Sequence, residues 1–305
     1  MNFNKSAIFF LLTAVVISGL SNFINKFGLT IVGKNAFQYT TLKNLAAALI
    51  LSLVLVSTPR VISELKVLTK KDWLKLGLIG LVGGGVPFLL YFQGLSMTSA
   101  VSASFIHKTL FIWAGILAWP ILHERFTRWQ LAALAVLFFG NWIFDGLGQI
   151  HFGYPELLVF SAVLMWAIEN VLAKIFLQNM ASGIVAWGRM FFGSIILLIF
   201  LVSSGNLAGL LESSSWQWSW IALVGLLLAG YNFFWYGALK SLPVTVVASV
   251  LALASPLTAL LNAIFVTHTW SWSNNIGIII VLIAVGVIFS SVRNKRYEYR
   301  LSQAV

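Results

Sequence analysis

Apolar runs of about 18 residues or more recur along almost the whole chain, near positions 6–30, 36–57, 73–96, 99–121, 128–145, 156–177, 181–203, 217–239, 244–266 and 274–292. A helix rising about 1.5 Å per residue needs such a run to cross about 30 Å of hydrocarbon. A chain with ten of them has no freedom to fold as a water-soluble globule, and the composition agrees: of 305 residues, 60% are hydrophobic and 9% charged. Ten spans of about 21 residues take up roughly 210 positions. No sizeable soluble domain fits in what remains, so a separate enzymatic or nucleic-acid-binding module is excluded.

The formal net charge of +11 would suggest nucleic acid in a soluble protein. Here the basic residues sit mostly in short connections, where the positive-inside rule accounts for them. With the N-terminus inside, the cytoplasmic connections and tails hold Lys5, Arg60, Lys66, Lys70, Lys71, Lys75, Arg125, Arg128, Lys174, Lys240, Arg293, Lys295, Arg296 and Arg300, against Lys26 and Lys34 on the other side. Both termini are therefore predicted to be cytoplasmic. The outer connections carry Asp145, His151, Glu156, Glu212 and His268 instead. Lys5 and the apolar stretch Ala7–Ile17, followed by Ser18 and Gly19, have the outline of a cleavable signal. The segment nevertheless continues to membrane length and its second half recurs later, so it is read as a retained helix.

Catalytic chemistry finds no support in the pattern. Zero cysteines exclude disulfides, Cys-ligated zinc and iron–sulfur centres, and the four histidines lie singly. No paired acids or nucleophile triad appear. The chain is expected to be no enzyme and to need no metal or cofactor. Gly83-Gly84-Gly85 followed by Pro87 lacks the Lys-Ser/Thr ending of a phosphate loop and lies in an apolar span, so it is read as close packing or a bend.

An internal repeat organises the rest. Gly19-Leu-Ser-Asn22-Phe-Ile-Asn-Lys26 aligns with Ala167-Ile-Glu-Asn170-Val-Leu-Ala-Lys174, 148 positions on, and Lys43 matches Arg189 at nearly the same offset. Tyr91-Phe-Gln-Gly-Leu95 matches Trp235-Tyr-Gly-Ala-Leu239, and Phe126-Thr-Arg-Trp129 matches Trp270-Ser-Trp-Ser273. The expected fold is an all-α membrane protein of ten transmembrane helices in two five-helix repeats, residues 1–147 and 148–292, with a basic cytoplasmic tail at 293–305. Because five is odd, the halves enter the membrane from opposite sides. Such inverted repeats place a substrate site near the midplane between them.

Leu122-His-Glu124-Arg-Phe-Thr127-Arg-Trp-Gln-Leu-Ala-Ala, followed by Leu137-Phe-Phe-Gly140, resembles the EamA repeat of the drug/metabolite transporter superfamily. Ala238-Leu-Lys-Ser-Leu-Pro243-Val-Thr-Val-Val-Ala-Ser249, Ser255-Pro256-Leu-Thr-Ala, and Trp270 through Gly286 look like its second copy. The resemblance covers nearly the whole chain. It implies an exporter or exchanger of amino acids, metabolites or nucleotide sugars in a bacterial-type inner membrane. There are two departures. The repeat's acidic residue, Glu124, has Thr267-His268 at the corresponding place, and the His107-Lys108 doublet faces only Ser249-Val-Leu-Ala252 in the second half.

Lys43, Lys108, Glu169 and Arg189 lie well inside spans, where a charge costs at least about 2.5 to 3.5 kcal/mol on insertion scales and normally faces a partner or a watery cavity. Lys43 is shallow enough for snorkelling to relieve it. Glu169 and Arg189 lie ten residues either side of Asn179, the centre of the turn between the sixth and seventh spans, so a hairpin brings them to one depth as an ion pair or a proton-coupling pair. Lys108 falls near the midplane with Ser104 one turn before it, and is the expected anchor of a substrate anion. His107 either bridges helices or faces the cavity, where it would titrate near neutral pH. Asn22 and Asn170 are read as substrate contacts or interhelical glue. Tyr91, Trp113, Trp166, Tyr231 and Trp235 lie deep enough to line a pocket.

Three interior cations against one acid favour an amino acid or related carboxylate as cargo, moved by alternating access. A multidrug exporter of lipophilic cations and a ligand-binding sensor that moves nothing are the alternatives. The expected partners are a small-molecule substrate and the lipid bilayer, with no nucleic acid. A complete pair of halves makes a monomer sufficient without excluding an oligomer.

Overall fold

The computed structural model describes residues 5–98, 100–124 and 153–268, with isolated positions between 128 and 139 and between 279 and 287. Among the described residues every regular element is a helix. They run α1 (Lys5–Val32), α2 (Ala36–Val56), α3 (Pro59–Lys66) and α4 (Lys70–Ile79), which passes through a π-helical turn (Gly80–Gly85) into α5 (Val86–Met97). Then come α6 (Ala100–Lys108), α7 (Leu110–Leu122), α8 (Tyr154–Phe176), α9 (Ser182–Ser203) and α10 (Ser215–Ser241). Finally α11 (Val244–Val250) and a 3-10 turn (Leu251–Leu253) lead into α12 (Ala254–Asn262) and a second π turn (Ala263–Thr267).

Eight segments are long and apolar enough to cross a membrane: 5–25, 36–56, 70–97, 105–122, 154–176, 182–203, 215–241 and 244–266. They coincide with eight of the ten expected runs. The fifth and tenth runs, the repeat boundary at 147/148 and the basic tail lie outside the described residues, apart from the isolated positions.

Helix starts are marked by side chains that satisfy the first free N–H groups. Asn35 accepts from Gln38 N at 2.9 Å at the head of α2. Thr69 with Asp72, and Ser214 with Gln217, form reciprocal capping boxes ahead of α4 and α10.

The spans pack in a pattern that exchanges the two repeats. The first span (α1) lies along the eighth (α10), and the sixth (α8) lies along the third (α5); α1 also packs on the ninth (α12), as α8 does on the fourth (α6 and α7). The second and seventh spans, α2 and α9, meet each other. The connections show how the repeats are oriented. Lys34, between the first two spans, donates to Glu212 O at 2.7 Å and to Gly209 O in the connection between the seventh and eighth. Glu64, between the second and third spans, accepts from Ala181 N at 2.6 Å, between the sixth and seventh. Since α2 separates Lys34 from Glu64, the equivalent first connections of the two repeats lie at opposite ends of the bundle, which makes the halves inverted.

Glycines set the closest approach. A Cβ on Gly84 would lie 2.1 Å from Arg189 O, and one on Gly193 would lie 2.5 Å from Gly84 C, so the π turn and α9 touch backbone to backbone. Close approach of this kind is how helices associate where lipid offers no hydrophobic drive. The Gly83–Gly85 run is thus close packing, on a locally widened helix. Gly84→Ala is expected to lower stability by about 1 to 3 kcal/mol or prevent folding, as overpacking does. Gly77→Ala, where nothing lies within 4 Å, should be neutral or stabilising by up to about 1 kcal/mol. Thermal unfolding in detergent compares the two.

Candidate functional site

In the third span Pro87 has no N–H to return to the carbonyl four residues before it, which belongs to Gly83. It accepts from Trp166 Nε1 and from an Arg189 Nη2, each at 3.0 Å, so the third, sixth and seventh spans meet on one oxygen. Arg189 also donates to Asn232 Oδ1 at 2.6 Å, and the Tyr236 hydroxyl donates to Glu169. Asn232 and Tyr236 are one turn apart on α10, so that helix supplies a partner to each charge.

Glu169 and Arg189 are both buried, as the shared depth anticipates. They do not close a direct salt bridge: no Glu169 oxygen comes within 4.0 Å of an Arg189 nitrogen. Gly83 stands between them, and a Cβ there would lie 2.5 Å from Glu169 Cγ and 3.0 Å from Arg189 Nε. Their attraction therefore acts across the glycine backbone, with each head group hydrogen-bonded elsewhere.

Lys43 is buried, at 3% exposure, with no acidic neighbour among the described residues. Its ammonium lies 4.1 Å from the Phe92 ring centroid and 5.5 Å from that of Phe88, with Asn25 Oδ1 at 3.4 Å. Asn25 in turn accepts from the Tyr39 hydroxyl at 2.7 Å. Ring quadrupoles favour a cation here by about 2 kcal/mol or more when desolvated, so Lys43 is held by aromatic faces and does not depend on snorkelling. Phe88 also sits 5.9 Å from the Arg189 guanidinium carbon, joining the two cations into one site.

The fourth span is interrupted beside its ionisable pair. Helix α6 ends at Lys108, Thr109 forms a turn with its N–H on Ile106 O at 3.0 Å, and α7 restarts at Leu110. The His107 ring packs between Tyr91 and Trp166, at centroid distances of 5.3 and 5.1 Å. Tyr91 and Trp166 are themselves 5.3 Å apart, which closes a three-ring cluster. Lys108 is half-buried at the break. The ninth span breaks at the equivalent place: the 3-10 turn Leu251–Leu253 is 144 residues beyond positions 107–109.

Six of the expected site residues, Lys43, Tyr91, His107, Trp166, Glu169 and Arg189, thus share one connected group. Tyr231 and Trp235 stack at 5.6 Å beside it, and Trp235 Nε1 donates to Asn170 Oδ1 at 3.1 Å. Trp113 lies apart, against Phe160 and Thr109. Asn22 is exposed on α1 and does not join the buried group, although its repeat mate Asn170 is buried. The side chain of Ser104 lies outside the described ones. Sequence reasoning missed Asn232, Tyr236, Phe88 and Phe92. The available signal was the Asn232/Tyr236 spacing of four, one residue along from Tyr231/Trp235.

The EamA-like transporter family matches this sequence twice, over residues 5–144 and 153–290. The chain belongs to that family. Two curated relatives come from Bacillus subtilis (strain 168). The uncharacterized transporter YyaM is 23% identical over 171 residues, 54% of this chain and 55% of its own. The uncharacterized transporter YetK is 22% identical over 239 residues, covering 75% and 71%. The match thus spans little more than half the length of YyaM. A solved structure described only as the crystal structure of a protein superposes over 95% of this EamA chain and 98% of its own, with a TM-score of 0.76 at 16% identity. Membership of the drug/metabolite transporter superfamily, expected from the Glu124 and Pro243 segments, is thereby shown.

Removing one of two buried opposite charges leaves the other uncompensated, typically at a cost of about 3 to 5 kcal/mol. Glu169→Gln and Arg189→Gln should each destabilise the EamA bundle, and the double change should cost less than their sum. Thermal unfolding in detergent reads the cycle; additivity would show that no coupling crosses Gly83.

Proposed function

We propose that this EamA protein is a secondary transporter that exports small carboxylates, amino acids or their relatives, across the inner membrane by alternating access. The observation that carries the reading is the paired interruption of the fourth and ninth spans at repeat-equivalent positions, with Lys108 at the first break. Discontinuous helices in matching places of inverted halves are the usual location of a transporter's substrate site. Lys108 is the proposed anchor, since an ammonium binds a carboxylate through a charge-assisted hydrogen bond. Glu169 and Arg189 offset each other locally, and Lys43 adds a buried positive charge held against the rings of Phe88 and Phe92.

Uptake of a mixture of radiolabelled amino acids and 2-oxo acids into inverted vesicles tests this reading. Lys108→Gln and Lys108→Met should each lower uptake at least about tenfold, the loss of one charged hydrogen bond, at normal membrane expression. Recovery of uptake in Lys108→Met with Glu169→Gln would mean that Lys108 serves only to neutralise Glu169. A buried acid among aromatic rings favours a second reading, export of lipophilic cations. Labelled tetraphenylphosphonium in the same vesicles separates the two.

Ten spans with both termini cytoplasmic complete the proposal. Glu124 leaves the fourth span at the end where Val244 begins the ninth, whereas Gly153 enters the sixth at the end marked by the Thr98–Glu156 contact. An odd number of crossings between them supports a fifth span. Single cysteines placed at 148 and 214 should react with an impermeant maleimide from outside intact cells, and one at 71 should not. Labelling at 71 would reverse the topology.

A further inference from the structure

Glu124 lies just beyond the helical end of the fourth span, and its carboxylate reaches across to the other repeat. One oxygen accepts from Val244 N at 2.9 Å, and the other accepts from Thr245 N at 3.2 Å and Thr245 Oγ1 at 3.0 Å. These are the first residues of the ninth span. Behind them α11 packs against α7, and every residue from Val244 to Val250 is buried. The carboxylate thus clasps the ends of the two interrupted spans at the face that carries Lys174 and Lys240.

The inverted repeat specifies what would mirror this clasp at the opposite face, where the ninth span ends. The two ends agree in backbone. His123 and His268, 145 residues apart, both take the left-handed conformation, with φ of 54° and 52°. They differ in the next residue. Glu124 comes after His123, whereas Thr269 comes after His268, and no Asp or Glu occurs between positions 266 and 274. The Glu124 clasp therefore has no acidic mirror image at the far end of the ninth span, although Glu156 meets Thr98 across the repeats at that face.

We infer that Glu124 is a one-sided latch that holds the basic face of the bundle shut and biases the empty protein toward the state open to the opposite face. An interaction made in one of two conformations shifts their populations by its own differential strength, whatever the substrate. The inference rests on the alternating-access reading. It is tested without substrate, so a failed carboxylate assay and a failed latch are separate results.

The natural absence of cysteine allows single reporters at Ala114→Cys on α7 and Ser249→Cys on α11. Their reaction with a cationic, membrane-impermeant methanethiosulfonate is timed in inverted and in right-side-out vesicles. Glu124→Ala is expected to speed labelling from the basic face about tenfold and to slow it from the opposite face, because two exchanging states move together. Should Glu124→Ala not fold, the isosteric Glu124→Gln keeps an acceptor oxygen without the charge and should shift both rates in the same directions by about threefold. Unchanged rates at both faces would overturn the latch. So would a rise at the basic face alone, which is what fraying of the ninth span's first turn produces.

Discussion

The carbonyl oxygen of Gly83 is where the third, sixth and seventh spans meet. Pro87, four residues on, has no N–H to return to it, which leaves the oxygen to the Trp166 indole and the Arg189 guanidinium. A membrane interior supplies no water to satisfy such donors, so their positions must be fixed by the protein. Once Arg189 is placed there, Asn232 is its remaining partner, Glu169 lies on the far side of the glycine, and Phe88 covers the guanidinium face. Gly80, Gly84 and Gly85 permit this by letting the π turn pack against the backbone and side chains of α9. The composition of the glycine run and the electrostatics of the centre are thus one arrangement.

Carboxylates are scarce in this chain, and most of those described are used to cap helix starts. Glu64, Asp72, Glu124 and Glu156 each accept from at least one backbone N–H at or beside a helix start. Asp72 acts on its own helix, and Glu156 caps its own helix while also accepting from Thr98 of the other repeat. Glu64 and Glu124 act over 117 and 120 residues, joining one repeat to the other. The favourable end of a helix dipole and the unpaired N–H groups are satisfied together by such a side chain. Across a repeat boundary the same contact also fixes how two spans sit against each other.

The spans are legible because length and hydrophobicity alone demand them, and the repeat because Asn22/Asn170 and Lys26/Lys174 keep their spacing. Depth is legible too, since counting from Asn179 brings Glu169 and Arg189 level. Rotation about the helix axes is not. Neighbouring residues on a helix differ by about 100°, so Tyr231 and Trp235 stand out in the sequence while Asn232 and Tyr236, one step round, hold the charges. The break at Thr109 has no glycine or proline to announce it. Its counterpart precedes Pro256 by several residues, and the equivalence at 144 positions shows in the sequence only as a bland stretch.

Lys174 and Lys240 count in the sequence only as topological charges, yet neither ends as a free surface cation. Lys174 donates to Leu239 O and Leu242 O, each at 2.8 Å, at the C-terminus of α10, and Lys240 donates to Met180 O at 2.9 Å. Positive loops are read while a nascent chain is being threaded into the bilayer, before these carbonyls have been brought to them. In the proposed topology the same two ammonium groups serve successive stages of the protein's life, first as orientation signals and afterwards as donors that tie a helix end and the turn between α8 and α9. Replacing either by a neutral residue would therefore disturb assembly and architecture together, and only an engineered compensating charge elsewhere in the loop could restore the former without the latter.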